Sequence, residues 1–245
     1  RILRPAATAA THRRLAWRQF QSFARVHAEE RLLSVPGWLR SESEGAEHIA
    51  QAVTDHGAAV LVMSHVGSPA LAARVLAARG TALTLVKGTR GDAAPAAAVP
   101  EPGGPRVEIR PPSAAAGPTV VELLGRLRAG EIVSLAGDRT WVPGSRELPV
   151  VIAGHVARIA AAPFALAMTA RVPALMCFAV RVGRRRYRFE CLPPLWLEGA
   201  SPAERARALE RAAAAYAAAL EARIRAYPEQ LYAFERFLHE PAAGG

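Results

Sequence analysis

Two short polar corners, each following an apolar run, carry the residue types best suited to chemistry in this chain. The first is Ser64-His65-Val66-Gly67-Ser68-Pro69, which follows Val60-Leu61-Val62-Met63. The second is Gly137-Asp138-Arg139, which follows Glu131–Ala136 (EIVSLA). An unprotonated imidazole can take a proton from a hydroxyl or an amine, so His65 reads either as a general base or as a histidine that simply hydrogen-bonds a nearby carbonyl. Asp138 and Arg139 place opposite charges side by side after a glycine that permits a sharp turn. They could serve a cleft, or Asp138 could be held by an arginine for structure alone. A third polar corner, Lys87-Gly88-Thr89-Arg90, follows Thr81–Val86 and offers two positive charges to a phosphate, or is an exposed basic loop.

The flanking patterns say what must hold these corners. Four consecutive apolar residues before Ser64 suit a strand buried on both faces. Ser68 then Pro69 suit the N-cap and first residue of a helix over Ala70–Arg79, ended by Gly80. Thr81–Val86 reads as the next strand, which makes a βαβ unit with a parallel, right-handed crossover. The carboxyl ends of such strands are where α/β sheets place ligands. A helix N-terminus beyond His65 would favour its neutral form.

Elsewhere, Thr11–Leu33 is a basic amphipathic helix, with Trp17, Phe20, Phe23 and Val26 as its apolar stripe and Arg14, Arg18 and Arg25 on another face. It reads as a domain helix with a solvated face or as a helix lying on an anionic membrane. A second helix is expected over Ser43–Asp55, closed by Gly57. Asp92–Pro105 is a Pro/Gly/Ala-rich loop, Arg106–Arg110 a short strand, and Thr119–Ala129 a helix with Val120, Leu123, Leu124 and Leu127 inward. Trp141–Glu147 is a loop and Leu148–Ala153 a strand. Pro163 opens a helix, and Pro173–Val182 with Arg186–Leu192 forms a hairpin in which Tyr187, Phe189 and Cys191 are buried. Ser201-Pro202-Ala203-Glu204 is a capping box for a long helix through Arg225, with Leu209, Ala213, Tyr216, Leu220 and Ile224 inward. Tyr227-Pro228 breaks it and opens a last short helix with Leu231, Phe234 and Phe237.

The chain of 245 residues is long enough for one large α/β domain. The expected fold is a single domain over residues 12–238, a mixed and mainly parallel sheet with helices on both faces, His65 and Asp138 lying at one edge. Residues 1–11 and 239–245 are expected to be flexible. The 31 Lys and Arg against 21 Asp and Glu leave a net charge of +10, which calls for an anionic partner. No nucleic-acid motif accompanies that charge, and nucleic acid is not expected. Two cysteines argue against a disulfide scaffold or a zinc site; Cys177 and Cys191 could face each other across the hairpin or be ordinary buried thiols. No P-loop, dinucleotide fingerprint or metal-ligand spacing occurs, so no cofactor and no metal are expected. No run reaches the roughly 18 apolar residues of a membrane span.

His65-Val66-Gly67-Ser68-Pro69-Ala70 resembles the His-Phe-Gly-Asn-Trp-Glu type of motif of the lipid A biosynthesis (lauroyl/myristoyl) acyltransferases, within the lysophospholipid acyltransferase superfamily. Further along, Gly137-Asp138-Arg139 is similar to that family's stretch ending in Asp and then Gln or Arg. Gly154 to Phe164 is similar to its glycine-then-proline segment. Tyr227-Pro228-Glu229-Gln230 through Arg236-Phe237 is similar to its Pro-x-Gln-aromatic-Arg-Phe signature. The flavour is that of bacterial members with Gly-Asp-Arg at the second motif. The departure is Ala70, where the family has Glu or Asp.

The resemblance implies transfer of a fatty acyl group from a thioester co-substrate, on acyl carrier protein or coenzyme A, to a lipid or glycolipid. The expected place is the cytoplasmic face of the inner membrane. The chain would be peripheral there, or anchored by a segment before Arg1, and would work against an anionic membrane surface. It makes His65 the general base, with Asp138 the acid that could serve in place of residue 70. Gly67, Ser68, Lys87, Arg139, Arg158 and Phe164 become substrate-binding candidates. The alternative is a non-catalytic lipid-binding relative that has lost its motif carboxylate.

Overall fold

The computed structural model describes residues 6–32, 35, 37–69, 71–72, 83–86, 120–140, 144–232 and 238–241. Outside them lie most of the Ala70–Arg79 helix, Lys87–Arg90, the loop and strand expected over 92–118, Trp141, and Phe234 through Phe237.

At the centre stands β2 (Ala59–Met63), buried along its whole length. It pairs in parallel with β4 (Ile132–Ala136) on one side and β7 (Ala174–Gly183) on the other. Beyond β4 lies β3 (Leu83–Leu85), again parallel. β7 forms the expected antiparallel hairpin with β8 (Arg186–Cys191), and β1 (Arg40–Glu44) adds to β8 in parallel. The main sheet thus has six strands in the order β1-β8-β7-β2-β4-β3, and the architecture is a single α/β domain with a mixed, mainly parallel sheet.

Because strand side chains alternate, β2 feeds two cores. Val60 and Val62 point to one face, among Phe164, Phe178, Tyr216 and Leu220. Leu61 and Met63 point to the other, among Ile49, Ala52, Leu83 and Phe189. Each fully buried aliphatic contributes about 1.5–3 kcal/mol, so β2 alone anchors both layers. The first face is covered by α3 (Val120–Arg128), α4 (Ala162–Ala170) and α5 (Pro202–Ala226); α2 (Glu47–His56) covers the second. The Ser201–Glu204 capping box is formed in both directions and starts α5, whose expected inner stripe is buried throughout. Cys177 and Cys191 do face each other across the β7–β8 ladder, as free thiols with Sγ atoms 3.4 Å apart.

Several expectations need correction. The helix expected from Ser43 begins only at Glu47, because Arg40–Glu44 is a strand. All five of its side chains are exposed, so it has no apolar alternation to betray it; it is held by backbone pairing and by Glu42, which accepts from Arg186 and Arg188. A second sheet joins three strands, of which only the first is expected from the sequence. In it β5 (Glu147–Ile152) and β6 (His155–Ala160) connect through Ala153-Gly154, both at positive φ, and β9 (Leu238–Pro241) pairs with the far side of β6. The crossover from β2 to β3 is parallel, but β4 sits between them. Val120 is exposed at the start of α3 instead of joining its inner stripe. The stripe of α1 (Ala9–Glu30) is split: Val26 is buried and Phe23 packs beside it, whereas Trp17 and Phe20 are exposed. After α5 the chain makes a 3-10 turn, Pro228–Gln230, and Leu231 then bridges to Val66 instead of opening a helix. α1 starts at Ala9, and β9 ends at Pro241.

Candidate active site at the carboxyl ends of the parallel strands

β2 and β4 run side by side, so the corners beyond them emerge next to each other. His65 and Asp138 meet there. The Asp138 carboxylate receives two hydrogen bonds from one residue, the His65 ring Nδ1 at 2.8 Å on Oδ1 and the His65 main-chain N–H at 2.5 Å on Oδ2. An ionised carboxylate can only accept, so Nδ1 is the donor, and the neutral ring with this tautomer has its lone pair on Nε2. Asp138 is almost fully buried while the His65 side chain is 24 % exposed. The acid is therefore sheltered from water and the ring reaches toward it.

The corner's backbone is fastened from three directions. Gly67 adopts φ +80°, and a Cβ there would lie 2.0 Å from the Ala179 carbonyl oxygen of β7, so only glycine lets the chain pass. The Ser68 N–H donates to that same oxygen at 2.8 Å, and the Gly67 N–H donates to the Gln230 carbonyl at 3.0 Å. Tyr232 N–H donates to the His65 carbonyl at 3.0 Å. Gln230 is itself buried, its side-chain amide accepting from the Arg181 N–H and donating to the Arg181 carbonyl, as a neighbouring strand would. α1 backs this segment, since Gln19 donates to the Leu231 carbonyl and Ser22 shares a 2.8 Å bond with the Tyr232 hydroxyl. Burial pushes the Tyr232 phenol up to about 12.

The remaining sequence candidates divide. Ser68 is buried and committed to structure, donating to Glu30 at 2.6 Å and capping the Leu71 N–H at 3.1 Å. It is the N-cap the sequence suggested. Arg139 lies half-buried beside Asp138 at the site. Arg158 sits on β6 in the second sheet, exposed and 3.8 Å from Glu147. Phe164 is fully buried in the core, edge-on to Tyr216. Lys87 and Ala70 lie outside the described residues. Among the described residues no group of His, Cys, Asp or Glu could hold a metal ion.

Sequence reasoning missed the carboxylates at the end of α1. Glu29 accepts from Arg181 and from the Tyr187 hydroxyl, and Glu30 accepts from Ser68 and faces His27. Burial first, and the Glu29 carboxylate next, push the Tyr187 phenol well up, so it stays a donor. Nothing in the local pattern of two glutamates at a helix end distinguishes them from solvated charge.

Fold and site together define an α/β protein with a buried aspartate gripping a histidine across adjacent parallel strand ends. A family model for bacterial lipid A biosynthesis acyltransferases matches residues 5–239, and the chain belongs to that family. A search of the curated proteins finds no match. Membership supports an acyltransferase activity in lipid biosynthesis. Among the described residues no helix is long and apolar enough to cross a membrane.

Proposed function

We propose that the protein moves a fatty acyl group from a thioester, on acyl carrier protein or coenzyme A, to a hydroxyl or amine of a lipid or glycolipid acceptor. His65 is the general base. Its Nε2 takes the acceptor proton as the acceptor oxygen or nitrogen attacks the thioester carbonyl, and the thiolate leaves. Asp138 holds the ring in the required tautomer and balances the imidazolium that forms. The observation that carries this reading is the two-pronged grip of Asp138 on His65. It supplies the carboxylate that Ala70 lacks, which favours a working enzyme over a lipid-binding relic.

A lipid acceptor brings the protein to a membrane surface, and α1 supports that. Trp17 and Phe20, 64 % and 56 % exposed, point outward among Arg13, Arg14, Arg18 and Arg25. Apolar rings ringed by arginines suit an anionic interface. The proposed location is the cytoplasmic face of the inner membrane.

The test is acyl transfer by the purified protein from long-chain acyl-CoA and acyl-carrier-protein donors to a lipid extract, read as thiol release and acylated lipid. Transfer that disappears in His65→Ala supports the reading. Transfer undiminished in His65→Ala refutes it, and absence of transfer with every donor leaves the relic.

A further inference from the structure

Behind the His65–Asp138 pair lies a tyrosine that the reaction itself never touches. Tyr216 is fully buried in the middle of α5. Its hydroxyl donates to the Met63 carbonyl at 2.7 Å, and the Ser64 side chain and the Asp138 main chain face the same oxygen. The three groups around it are the last residue of β2, the residue before His65, and Asp138 itself. The Ser64 oxygen accepts the Val66 N–H at 3.2 Å, across His65. The Met63 carbonyl also accepts the Gly137 N–H, so the phenol donates at the point where the ends of β2 and β4 are joined.

The fit is specific to tyrosine. A Cβ on Gly137 would lie 2.8 Å from the Tyr216 ring, so the glycine preceding Asp138 makes room for it. The ring stacks on Phe178 and meets Phe164 edge-on, which fixes where the oxygen can be. Met63 O already accepts the Gly137 N–H at 2.9 Å, so that carbonyl does not require the phenol for satisfaction. Burial first, and the negative Asp138 next, push the phenol well above its ordinary range, so it remains a donor at any working pH.

We propose that Tyr216 is a positioning residue for the His65–Asp138 pair, its hydroxyl locking the ends of β2 and β4 in the register at which the carboxylate can grip both the ring and the backbone of His65. This rests on the function proposed above. Without the hydroxyl the junction keeps only the Gly137 N–H on the Met63 carbonyl, and the two corners are freer to shift against each other. Small misplacements of a general base, on the order of 1 Å, are costly to rate but not to substrate binding.

The decisive comparison is Tyr216→Phe against the wild type, the ring packing being kept. Turnover is expected to fall about 10- to 100-fold while the KM for the thioester donor stays within about twofold. The ¹⁵N and ¹H signals of the His65 ring are expected to shift or broaden. Ser64→Ala is expected to move the same signals less, and stands in should Tyr216→Phe not fold. Leu209→Ala, in the same helix and away from the network, controls for lost stability and should keep both turnover and ring signals while folded. Unchanged ring signals in Tyr216→Phe, or an equal turnover loss in Leu209→Ala, would overturn the proposal. A wild type that turns over no thioester brings down the proposed function alone, and the ring signals then decide the positioning role by themselves.

Discussion

Replacing Asp138 with asparagine removes one charge and almost no volume, and the geometry dictates the consequence. The carboxylate serves two donors, the main-chain N–H of His65 and the ring Nδ1–H, whereas an amide offers one oxygen and one NH₂. The main-chain donor cannot change its nature, so the amide oxygen must face it and the NH₂ must face Nδ1. The ring then carries its hydrogen on Nε2 and has no lone pair for the acceptor. Restoring the active tautomer would set two donors against each other at a buried position, a cost of about 1–3 kcal/mol. Losing the charge that steadies the imidazolium adds about 1.5–3 kcal/mol. At about 1.36 kcal/mol per decade the sum predicts a fall of about 10²–10⁴ in turnover, the upper end matching what the same exchange costs a serine-protease triad. Thiol release from the acyl donor measures the rate, and ¹⁵N shifts of the His65 ring report the tautomer independently. A ring that switches tautomer while turnover stays within about tenfold of wild type would show that His65 is not the base.

Other parts of the fold make their own predictions. Gly67→Ala must fit a Cβ against the Ala179 carbonyl at a left-handed φ, and should destabilise by about 2–5 kcal/mol in chemical denaturation. Ala153 holds φ 52° and Gly154 φ 77° in a two-residue hairpin turn that favours Asn-Gly, so Ala153→Asn should stabilise by about 1 kcal/mol in the same assay. Glu204 is held below the usual glutamate range by the main-chain N–H groups of Ser201 and Ala200. A lowered folded pKa gives stability that is complete above the ordinary value of about 4.3 and lost as pH falls through the folded value. The stability gap between wild type and Glu204→Gln should therefore be widest near neutral pH and close on acidification. Sedimentation with vesicles should show preference for anionic over neutral lipid that weakens with salt, and Trp17→Ala with Phe20→Ala should weaken binding to both.

How legible each feature is in the sequence depends on how far its cause lies along the chain. β2, the β7–β8 hairpin and α5 can be read because their causes are local: an apolar run, strict alternation, and a capping box with Pro at the first turn. β1 is hidden because its five exposed polar side chains carry no periodicity, and its reason for being extended is the edge of β8, far away in sequence. β6 is hidden in the same way, paired on both sides by β5 and β9. At the site, His65 and Asp138 can each be placed at a strand end. That the two strands are neighbours is a property of the sheet order.

That adjacency also explains how a chain with alanine at the motif's acidic position can keep a supported histidine. A carboxylate five residues after His65 would be tied to it through the short stretch of chain between them, and its hold on the ring would depend on that stretch's own conformation. Asp138 follows β4 instead, which is hydrogen-bonded along its length to β2, so the distance between carboxylate and imidazole is set by sheet pairing. The grip on the His65 main-chain N–H as well as the ring means that the carboxylate moves with the residue it supports. Supplying a glutamate by Ala70→Glu therefore adds an acid where the ring's Nδ1–H is already engaged, and should leave turnover in the thioester assay essentially where it was. A large gain would mean that Asp138 orients His65 poorly, and that the residue-70 carboxylate does something in this family that a strand-end aspartate cannot replace.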